Sequence, residues 1–293
     1  MLVSTQTDLL ANKYSQEQAI RMLAAAGYEA FDLSLFSMQR EEDPFNSDDY
    51  LTVARHLRAV ADECGIRCNQ AHAPFPSSKA DQTYNEITFA RITRAMEIAA
   101  LLGAKQIIVH PVQHLYYPEN ARTLQQMNLE FYKALIPYCE KFGIKVALEN
   151  MFQGDPRRKV LIESTCNSPE EFCAYLDALP TEYFTACLDI GHCGLVGQDA
   201  ANFIRALGHD RLGALHVHDN DFHHDKHTLP FMGELNWDAV TTALVDIRYR
   251  GDMTLEADNF FSRLPEHMLP EAATFMCHVA KHLRDEVQRK TNA

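Results

Sequence analysis

Residues 142–150 read Phe-Gly-Ile-Lys-Val-Ala-Leu-Glu-Asn, an apolar run that follows a glycine and ends on a carboxylate. Short apolar runs bounded by turn residues are typical of buried strands. Gly143 comes directly after a helical pattern, where a glycine can end the helix by taking the left-handed conformation. The stretch therefore predicts a helix, a short loop and a buried strand that ends on Glu149.

The same order of helix end, glycine and apolar strand recurs along the chain. Further joints of this kind lie at Gly27, Gly65, Gly103 and Gly251. The segments between them carry apolar residues at steps of three and four, which predicts amphipathic helices. Strands are predicted near residues 2–7, 30–34, 67–71, 106–109, 145–148, 184–188, 212–217 and 253–255. This alternation predicts an α/β fold, a (β/α)8 TIM barrel forming a single domain over residues 1–293, rather than an open doubly wound sheet.

Polar residues mark several helix starts. Ser15, Ser168 and Asn236 each precede a helical pattern and are predicted N-caps. The segments that follow the predicted strands are long, and loops without regular structure are often functional. Such loops are predicted on the carboxyl-terminal face at residues 35–48, 72–81, 111–120, 150–165 and 219–236.

The composition restricts the possible partners. A formal net charge of −13 repels phosphate backbones, so no nucleic-acid partner is expected. The eight cysteines form no CxxC pair and are typical of reduced residues in a cytoplasmic protein. Neither a signal peptide nor an apolar stretch long enough to span a membrane is recognisable. We expect a cytoplasmic protein with a small-molecule ligand, and a homo-oligomer is possible.

Four predicted strands in the second half of the chain end on a side chain that can bind a metal. These residues are Glu149, Asp189, His216 and Glu256. In a parallel barrel, the carboxyl ends of the strands carry the chemistry. Carboxylates with one imidazole suit one divalent ion, and Mn²⁺, Mg²⁺, Co²⁺ and Zn²⁺ all remain open. Each residue alone could equally be a cap or part of an ion pair, so the prediction depends on all four together.

Other polar residues are expected around the same mouth. His72 and His110 end strands three and four, His192 follows Asp189 by three residues, and His227 lies in the loop after strand seven. They are candidates for substrate binding, although a histidine at such a place can also be an ordinary wall or surface residue. Asp155 and Arg157, in the loop after Glu149, are weaker candidates. His218 is expected to share the face of His216 but to lie further out.

Several motifs together resemble the sugar phosphate isomerase/epimerase superfamily. They are Leu-Glu149-Asn150, Asp189-Ile-Gly-His192, His216-Val-His-Asp219, Asp225-x-His227-x-x-Pro230-x-x-Gly233 and Leu-Glu256. The superfamily comprises the xylose isomerase-like barrels, among them ketose 3-epimerases and the apurinic/apyrimidinic endonucleases. The resemblance extends over essentially the whole chain, and its motifs are specific to the superfamily but not to one substrate.

The resemblance to the ketose 3-epimerases implies an enzyme that isomerises or epimerises a sugar, sugar phosphate or cyclitol. It implies that Glu149, Asp189, His216 and Glu256 hold one divalent metal. It also implies that Glu149 and Glu256 move the proton beside a carbonyl, while His192 holds a substrate hydroxyl. One position departs from the epimerase pattern, because Phe222 occupies the place of an arginine that contacts substrate.

The endonuclease branch implies a different use of the same residues. Those enzymes are multi-metal phosphodiesterases with extra ligands from strands three and four and an Asp-x-His pair. His72, His110 and Asp225-x-His227 match those positions. The negative charge and the scarcity of basic residues in the carboxyl-side loops argue against DNA binding. A dehydratase or lyase on the same scaffold, and a binding protein without activity, also remain open.

Overall fold

The computed structural model describes all 293 residues, and its strands and helices alternate along the chain. The strands are β1 (Val3–Thr5), β2 (Ala30–Ser34), β3 (Arg67–His72), β4 (Gln106–Ile108), β5 (Lys145–Glu149), β6 (Phe152–Gly154), β7 (Leu161–Glu163), β8 (Phe184–Asp189), β9 (Leu212–His216) and β10 (Met253–Leu255). The helices are α1 (Asp8–Lys13), α2 (Gln16–Ala25), α3 (Tyr50–Cys64), α4 (Gln82–Leu102), α5 (Tyr117–Phe142), α6 (Pro169–Asp177), α7 (Ile190–Leu195), α8 (Ala200–Arg211), α9 (Trp237–Asp246) and α10 (Leu269–Thr291). None of the helices combines the length and apolar character needed to cross a bilayer.

The strands form a curled parallel sheet with helices between successive strands. A six-stranded sheet has the order β2-β3-β4-β5-β8-β9, and β1 pairs with β10 in a separate parallel ladder. Single parallel bridges, Gln6 to Asp32 and Val217 to Leu255, connect this pair to the two edges of the larger sheet. The α/β prediction is confirmed, whereas the continuous ladder extends over six strands and not the expected eight.

The strands bury different side chains on their two faces. Val146 and Leu148 of β5 belong to an apolar core of 71 residues that fills the space between sheet and helices. Ala147, on the opposite face, packs in a small separate cluster with Ile108, Cys187 and Ala214. Because side chains alternate along a strand, the next position on this inner face of β5 is Glu149. The same two-residue step leads from the other cluster members to His110, Asp189 and His216.

Most of the predicted local signals are present. The residues with positive φ include Gly27, Gly65, Gly103 and Gly143, as expected for helix ends. The hydroxyls of Ser15 and Ser168 and the amide oxygen of Asn236 accept hydrogen bonds from the first turns of α2, α6 and α9.

The prediction for Gly251 is wrong. After α9, the positive φ of 54° belongs to Arg248. Gly251 is instead required for close packing, because an added Cβ would lie 2.1 Å from the Tyr249 hydroxyl and 2.7 Å from the Gly213 carbonyl oxygen.

Three of the predicted loops contain regular structure, and the segment 35–48 holds two short 3-10 helices, Phe36–Gln39 and Pro44–Asn46. The segment 150–165 holds an antiparallel hairpin in which β6 pairs with β7. Helix α5 begins at Tyr117, inside the segment 111–120 that was predicted to be a loop. The hairpin strands are only three residues long, too short to show the alternation from which a strand is predicted.

Asn128 ties the loop after β4 to helix α5. It is fully buried, accepts a hydrogen bond from Val112 N (2.7 Å) and donates to the carbonyl oxygens of Val112 (2.8 Å) and Leu124 (2.9 Å). We expect Asn128→Ala to lower the free energy of unfolding by about 2 kcal/mol, because buried backbone groups lose their partners. Urea unfolding measures the change. Gln126→Ala, an exposed change on the same helix, should shift it by less than about 0.5 kcal/mol, and equal effects would contradict the assignment.

Candidate metal centre and active site

A cavity of about 610 Å³ opens at the carboxyl ends of the strands. Its lining is rich in carboxylates and imidazoles and contains neither lysine nor arginine. The charged and titratable lining residues are Asp8, His72, His110, Glu149, His192, Asp225, His227, Glu256 and Asp258. This cavity is the candidate active site, because it lies where a parallel α/β barrel presents its functional groups.

The four predicted metal ligands lie together at the bottom of the cavity, which Glu149 and Glu256 line, whereas Asp189 and His216 are completely buried outside its lining. The ligand atoms of Glu149, Asp189, His216 and Glu256 are all within 4.8 Å of one another, and all four residues are buried. His216 Nδ1 is 3.2 Å from Glu149 Oε1 and 3.1 Å from Glu256 Oε2. The strand ends of β5, β8 and β9 and the residue after β10 therefore converge on one point.

The charges at this point depend on each other. Burial opposes ionisation of Glu149, but His216 and His110 outweigh it and hold the pKa of this carboxyl well below its usual range. Burial likewise disfavours the ionised form of Asp189, and its neighbours His192 and His218 lower its pKa. For the imidazole of His216, burial favours the neutral form, yet the surrounding anions, Glu256 and Glu149 among them, raise its pKa well above the ordinary value.

A second group of ligands shares Glu149 with the first. His72 ends β3 as predicted, whereas His110 follows the end of β4 by two residues, and their Nε2 atoms lie 3.0 Å from each other. Glu149 Oε2 lies 3.0 Å from His110 Nε2 and 3.5 Å from His72 Nε2. His72 Nδ1 donates to the Ala73 carbonyl oxygen at 3.2 Å, which leaves its Nε2 to face the carboxylate.

A third group lies beside Asp189 and consists of His192, His218, Asp225 and His227. His192 Nδ1 donates to the Asn150 carbonyl oxygen, and His227 Nδ1 donates to the Glu256 carbonyl oxygen, each at 2.8 Å. Since a carbonyl oxygen only accepts, each ring presents its Nε2 to the cavity. His218 reaches closer to the site than expected, with Nε2 3.0 Å from Asp189 Oδ1.

The donor atoms fit bound cations. The buried oxygens Glu149 Oε2, Glu256 Oε2 and Asp225 Oδ1 receive no well-directed hydrogen bond. No lysine or arginine forms an ion pair with Glu149, Asp189 or Glu256. Buried carboxylates are costly without a compensating charge, and carboxylate oxygens with imidazole nitrogens are suitable ligands for divalent metals.

The local structure of the Asp189-Ile-Gly-His192 motif explains its residue types. Asp189 caps α7 by accepting from His192 N at 2.7 Å. Asn150 holds the Asp189 backbone through hydrogen bonds at 2.7 and 3.0 Å. Gly191 leaves room for the ring of His218, because an added Cβ would lie 2.0 Å from its Cε1 atom.

Asp219 organises the loop that carries Asp225 and His227. Its carboxylate accepts hydrogen bonds from Phe231 N (3.0 Å), Leu235 N (3.1 Å) and the Trp237 indole (2.8 Å). This folds the segment back over β9, although residues 219–236 form no regular element.

Three neighbours of the site had no signal in the sequence. Gln6 donates to Glu256 Oε1 at 2.6 Å. Asp32, which is completely buried, lies 3.4 Å from His216 Nε2 and accepts from the Gln70 side chain at 2.8 Å. Asp258 lines the cavity, and burial raises its pKa to about 6. Asp32 lies within the apolar strand β2, and Gln6 directly follows β1 and forms a bridge to Asp32. Only their position in the sheet brings them close to the site.

Two predicted substrate contacts lie outside the lining of the cavity. Asp155 is buried and accepts from Arg158 Nε at 2.7 Å and from the Tyr116 hydroxyl at 3.2 Å. Arg157 is exposed on the same turn. The ring of Phe222, at the position where the epimerases have arginine, packs against Gly194.

The sequence of the chain is similar to a known protein family and to several curated proteins. A sequence profile of the family described as “Xylose isomerase-like TIM barrel” matches residues 20–277. The chain is similar to Uncharacterized protein y4fM of Sinorhizobium fredii (25% identity over 197 residues, 65% of this chain and 58% of that protein). It is also similar to Probable endonuclease 4 of Bacillus licheniformis (27% identity over 201 residues, 62% of this chain and 63% of that protein). The matches to the first curated relatives thus cover between 58% and 64% of their length.

The fold is also found among solved structures. The crystal structure of a D-tagatose 3-epimerase-like protein superimposes with a TM-score of 0.76 over 99% of this chain and 99% of that chain. The sequence identity is 20%, so this likeness establishes the fold alone.

We expect metal affinity to depend on pH. Among the four predicted ligands, burial favours the neutral form of His216, but the surrounding anions, Glu256 and Glu149 among them, raise its pKa well above the ordinary value. A ligand with a raised pKa keeps its proton above the ordinary histidine value of 6.5, and metal must displace that proton. Affinity for Zn²⁺ or Mn²⁺ should therefore rise above pH 6.5, by about tenfold per pH unit for each proton released.

Isothermal titration and proton release into a dilute indicator dye measure this dependence. The variant His223→Gln, an exposed histidine outside the cavity lining, should retain the slope. An affinity that stays constant from pH 6.5 upward would contradict the expectation.

Proposed function

The chain belongs to the xylose isomerase-like TIM barrel family, and from this premise we propose that it is a divalent-metal-dependent enzyme that isomerises or epimerises a sugar or sugar-like substrate. The proposal includes a single domain over residues 1–293 in which the strands complete a (β/α)8 barrel. The metal ligands would be Glu149, Asp189, His216 and Glu256, and the substrate would be a small molecule with a carbonyl group.

The observation that carries the proposal is the pair of glutamates around His216. Glu149 ends β5 and Glu256 follows β10, and these strands lie on either side of β9, which carries His216. Each glutamate nevertheless places a carboxylate oxygen within 3.2 Å of His216 Nδ1. Their lowered pKa values keep both ionised at neutral pH. A substrate carbon above His216 would therefore lie between two bases, as required to remove a proton on one side and return it on the other.

The surrounding residues would orient the substrate. His192, His72, His110 and His227 line the cavity, and the tautomers of His192 and His227 are set by backbone carbonyls. Gln6 fixes the Glu256 carboxylate through its amide, which limits the directions from which that base can act. A bound divalent cation would supply the positive charge that stabilises the anion left by proton removal.

Deuterium exchange tests the proposed reaction. Metal-loaded protein incubated with D-fructose and D-tagatose in D₂O should incorporate deuterium at the carbon next to the carbonyl, detected by NMR. We expect Glu256→Gln to lower the exchange rate at least about 100-fold, because it removes a base. Glu234→Gln, the same change at an exposed residue, should leave it unchanged. Absence of exchange across a broad ketose panel, with metal bound, would contradict the proposal.

The three ligand groups favour a second candidate function. Sharing of Glu149 between two groups, together with the third group around Asp225, would allow several metals to bind close together. Such a centre can clamp both the attacking and the leaving oxygen of a phosphate ester. The similarity to Probable endonuclease 4 supports this candidate, a multi-metal phosphodiesterase. The absence of lysine and arginine from the cavity lining argues against it.

Metal content separates the two candidates. For the isomerase we expect one tightly bound metal, which Glu149→Gln removes and Asp225→Asn leaves in place, because Asp225 belongs only to the third group. Mass spectrometry of the native protein or elemental analysis measures the content. Binding of three metals, loss of one in Asp225→Asn, and cleavage of an abasic oligonucleotide would instead establish the hydrolase.

A further inference from the structure

The walls of the active-site cavity differ in chemistry from one side to the other. Helix α1 and the segment after β10, which contact each other, contribute the polar residues Asp8, Asn12, Asp258 and Asn259 together with Leu9. On another side, Phe36 from the loop after β2 and Phe75 from the loop after β3 form what we call the aromatic wall. Their ring centroids are 4.7 Å apart, and the ring planes are nearly perpendicular at 89°.

The aromatic wall continues directly from His72 and His110. The Phe36 centroid is 4.5 Å from that of His72, and the Phe75 centroid is 4.7 Å from that of His110. A ligand that contacts the histidines at the floor can therefore extend along these rings without leaving the cavity. Phe75 is 39% exposed, so its ring offers apolar surface that nothing in the protein covers. Aromatic side chains that line a concave site are typical of a surface that a ligand covers.

The cavity is large for one sugar ring. Cavities of about 300 to 1,000 Å³ enclose drug-sized ligands, and a hexose is smaller than such molecules. At about 610 Å³, this cavity has room for a second ring beside the sugar that would lie over His216. Pyranose rings have apolar faces, which pack on aromatic side chains while their hydroxyls point to polar groups.

The charge of the cavity disfavours a phosphate on the ligand. Five carboxylates line it, those of Asp8, Glu149, Asp225, Glu256 and Asp258.

Basic side chains close to the mouth are directed elsewhere. Lys226 forms an ion pair with Asp221 at 2.7 Å, and Arg158 pairs with Asp155. Arg40 has no acidic partner and donates at 3.4 Å to Asn12 on the polar side of the cavity, but it does not itself line the cavity. Within the lining itself, a phosphate would meet carboxylates and no guanidinium or ammonium group.

We propose that the substrate is an unphosphorylated sugar that retains a carbonyl group and carries a second ring, linked through one of its hydroxyls, which packs on Phe36 and Phe75. This inference rests on the proposed function, because it assumes that the ketose unit, in the open-chain form that carries the carbonyl group, lies between Glu149 and Glu256. It adds the substrate class, a neutral ketose-containing disaccharide or a comparable two-ring sugar, and it assigns Phe75 as a specificity-determining residue.

Binding measurements test the substrate class independently of turnover. Isothermal titration of the Mn²⁺-loaded protein with lactulose, isomaltulose, D-fructose and D-fructose 6-phosphate gives four dissociation constants. At least one of the two disaccharides should bind about tenfold more tightly than D-fructose, the gain expected from packing a ring on an aromatic side chain. D-Fructose 6-phosphate should bind no more tightly than D-fructose.

Substitution of the aromatic wall identifies where the second ring binds. Phe75→Ala should reduce the advantage of the disaccharide to less than about twofold while D-fructose affinity stays unchanged, because only the second ring loses its partner. Phe275→Ala, a matched change at a phenylalanine that is 47% exposed on α10 and outside the cavity lining, should have no effect.

The outcomes separate this inference from the proposed function. Disaccharides that bind no better than D-fructose, or a 6-phosphate that binds more tightly, would overturn the substrate class even if D-fructose exchanges deuterium. Tight binding of a disaccharide that depends on Phe75, without deuterium exchange in any of the sugars, would support the substrate class and overturn the proposed reaction.

Discussion

The structure depends on the burial of several carboxylates next to His216, with no lysine or arginine to neutralise them. Glu149 and Glu256 approach His216 within 3.2 Å, and Asp189 completes the group in an environment from which water is largely excluded. Such an arrangement is costly unless a positive charge joins it. The same electrostatic requirement accounts for the raised pKa of His216 and for the lowered pKa of Glu149. A divalent cation would supply this positive charge most simply.

The sheet produces this arrangement through the alternation of side chains along each strand. Small residues, Ala147, Cys187 and Ala214, fill the interior below the site, and the residue two positions later on each strand is a candidate ligand. The packed cluster of small residues supports the candidate ligands above it, so these ligands are held by rigid strands and not by loops. Loops then add the remaining groups, and Asp219 fixes the longest of them by accepting hydrogen bonds from its backbone.

The asymmetry of the cavity connects the charge of the site with substrate choice. The carboxylates that would bind metal and move a proton also exclude further anions, whereas the rings of Phe36 and Phe75 provide uncharged surface beside them. A neutral substrate with an apolar face satisfies both conditions. The second candidate, hydrolysis of phosphate esters, would require bound metals to offset most of this negative potential.

The sequence by itself determined the alternation of strands and helices and the residues at the strand ends. The spacing of apolar residues and the glycines and capping residues at helix ends are local properties of the chain. It placed Glu149, Asp189, His216 and Glu256 at or directly after the carboxyl ends of neighbouring strands. It also predicted the glycines at the helix ends, except Gly251. Tertiary structure alone decided the short hairpin β6–β7, the closeness of His218 to Asp189, and the approach of Gln6 and Asp32 to the site. Asp155 was predicted to contact substrate, but in the folded loop its carboxylate accepts hydrogen bonds from Arg158 and Tyr116. Whether distant side chains meet depends on the curl and register of the sheet, which no short stretch of sequence contains.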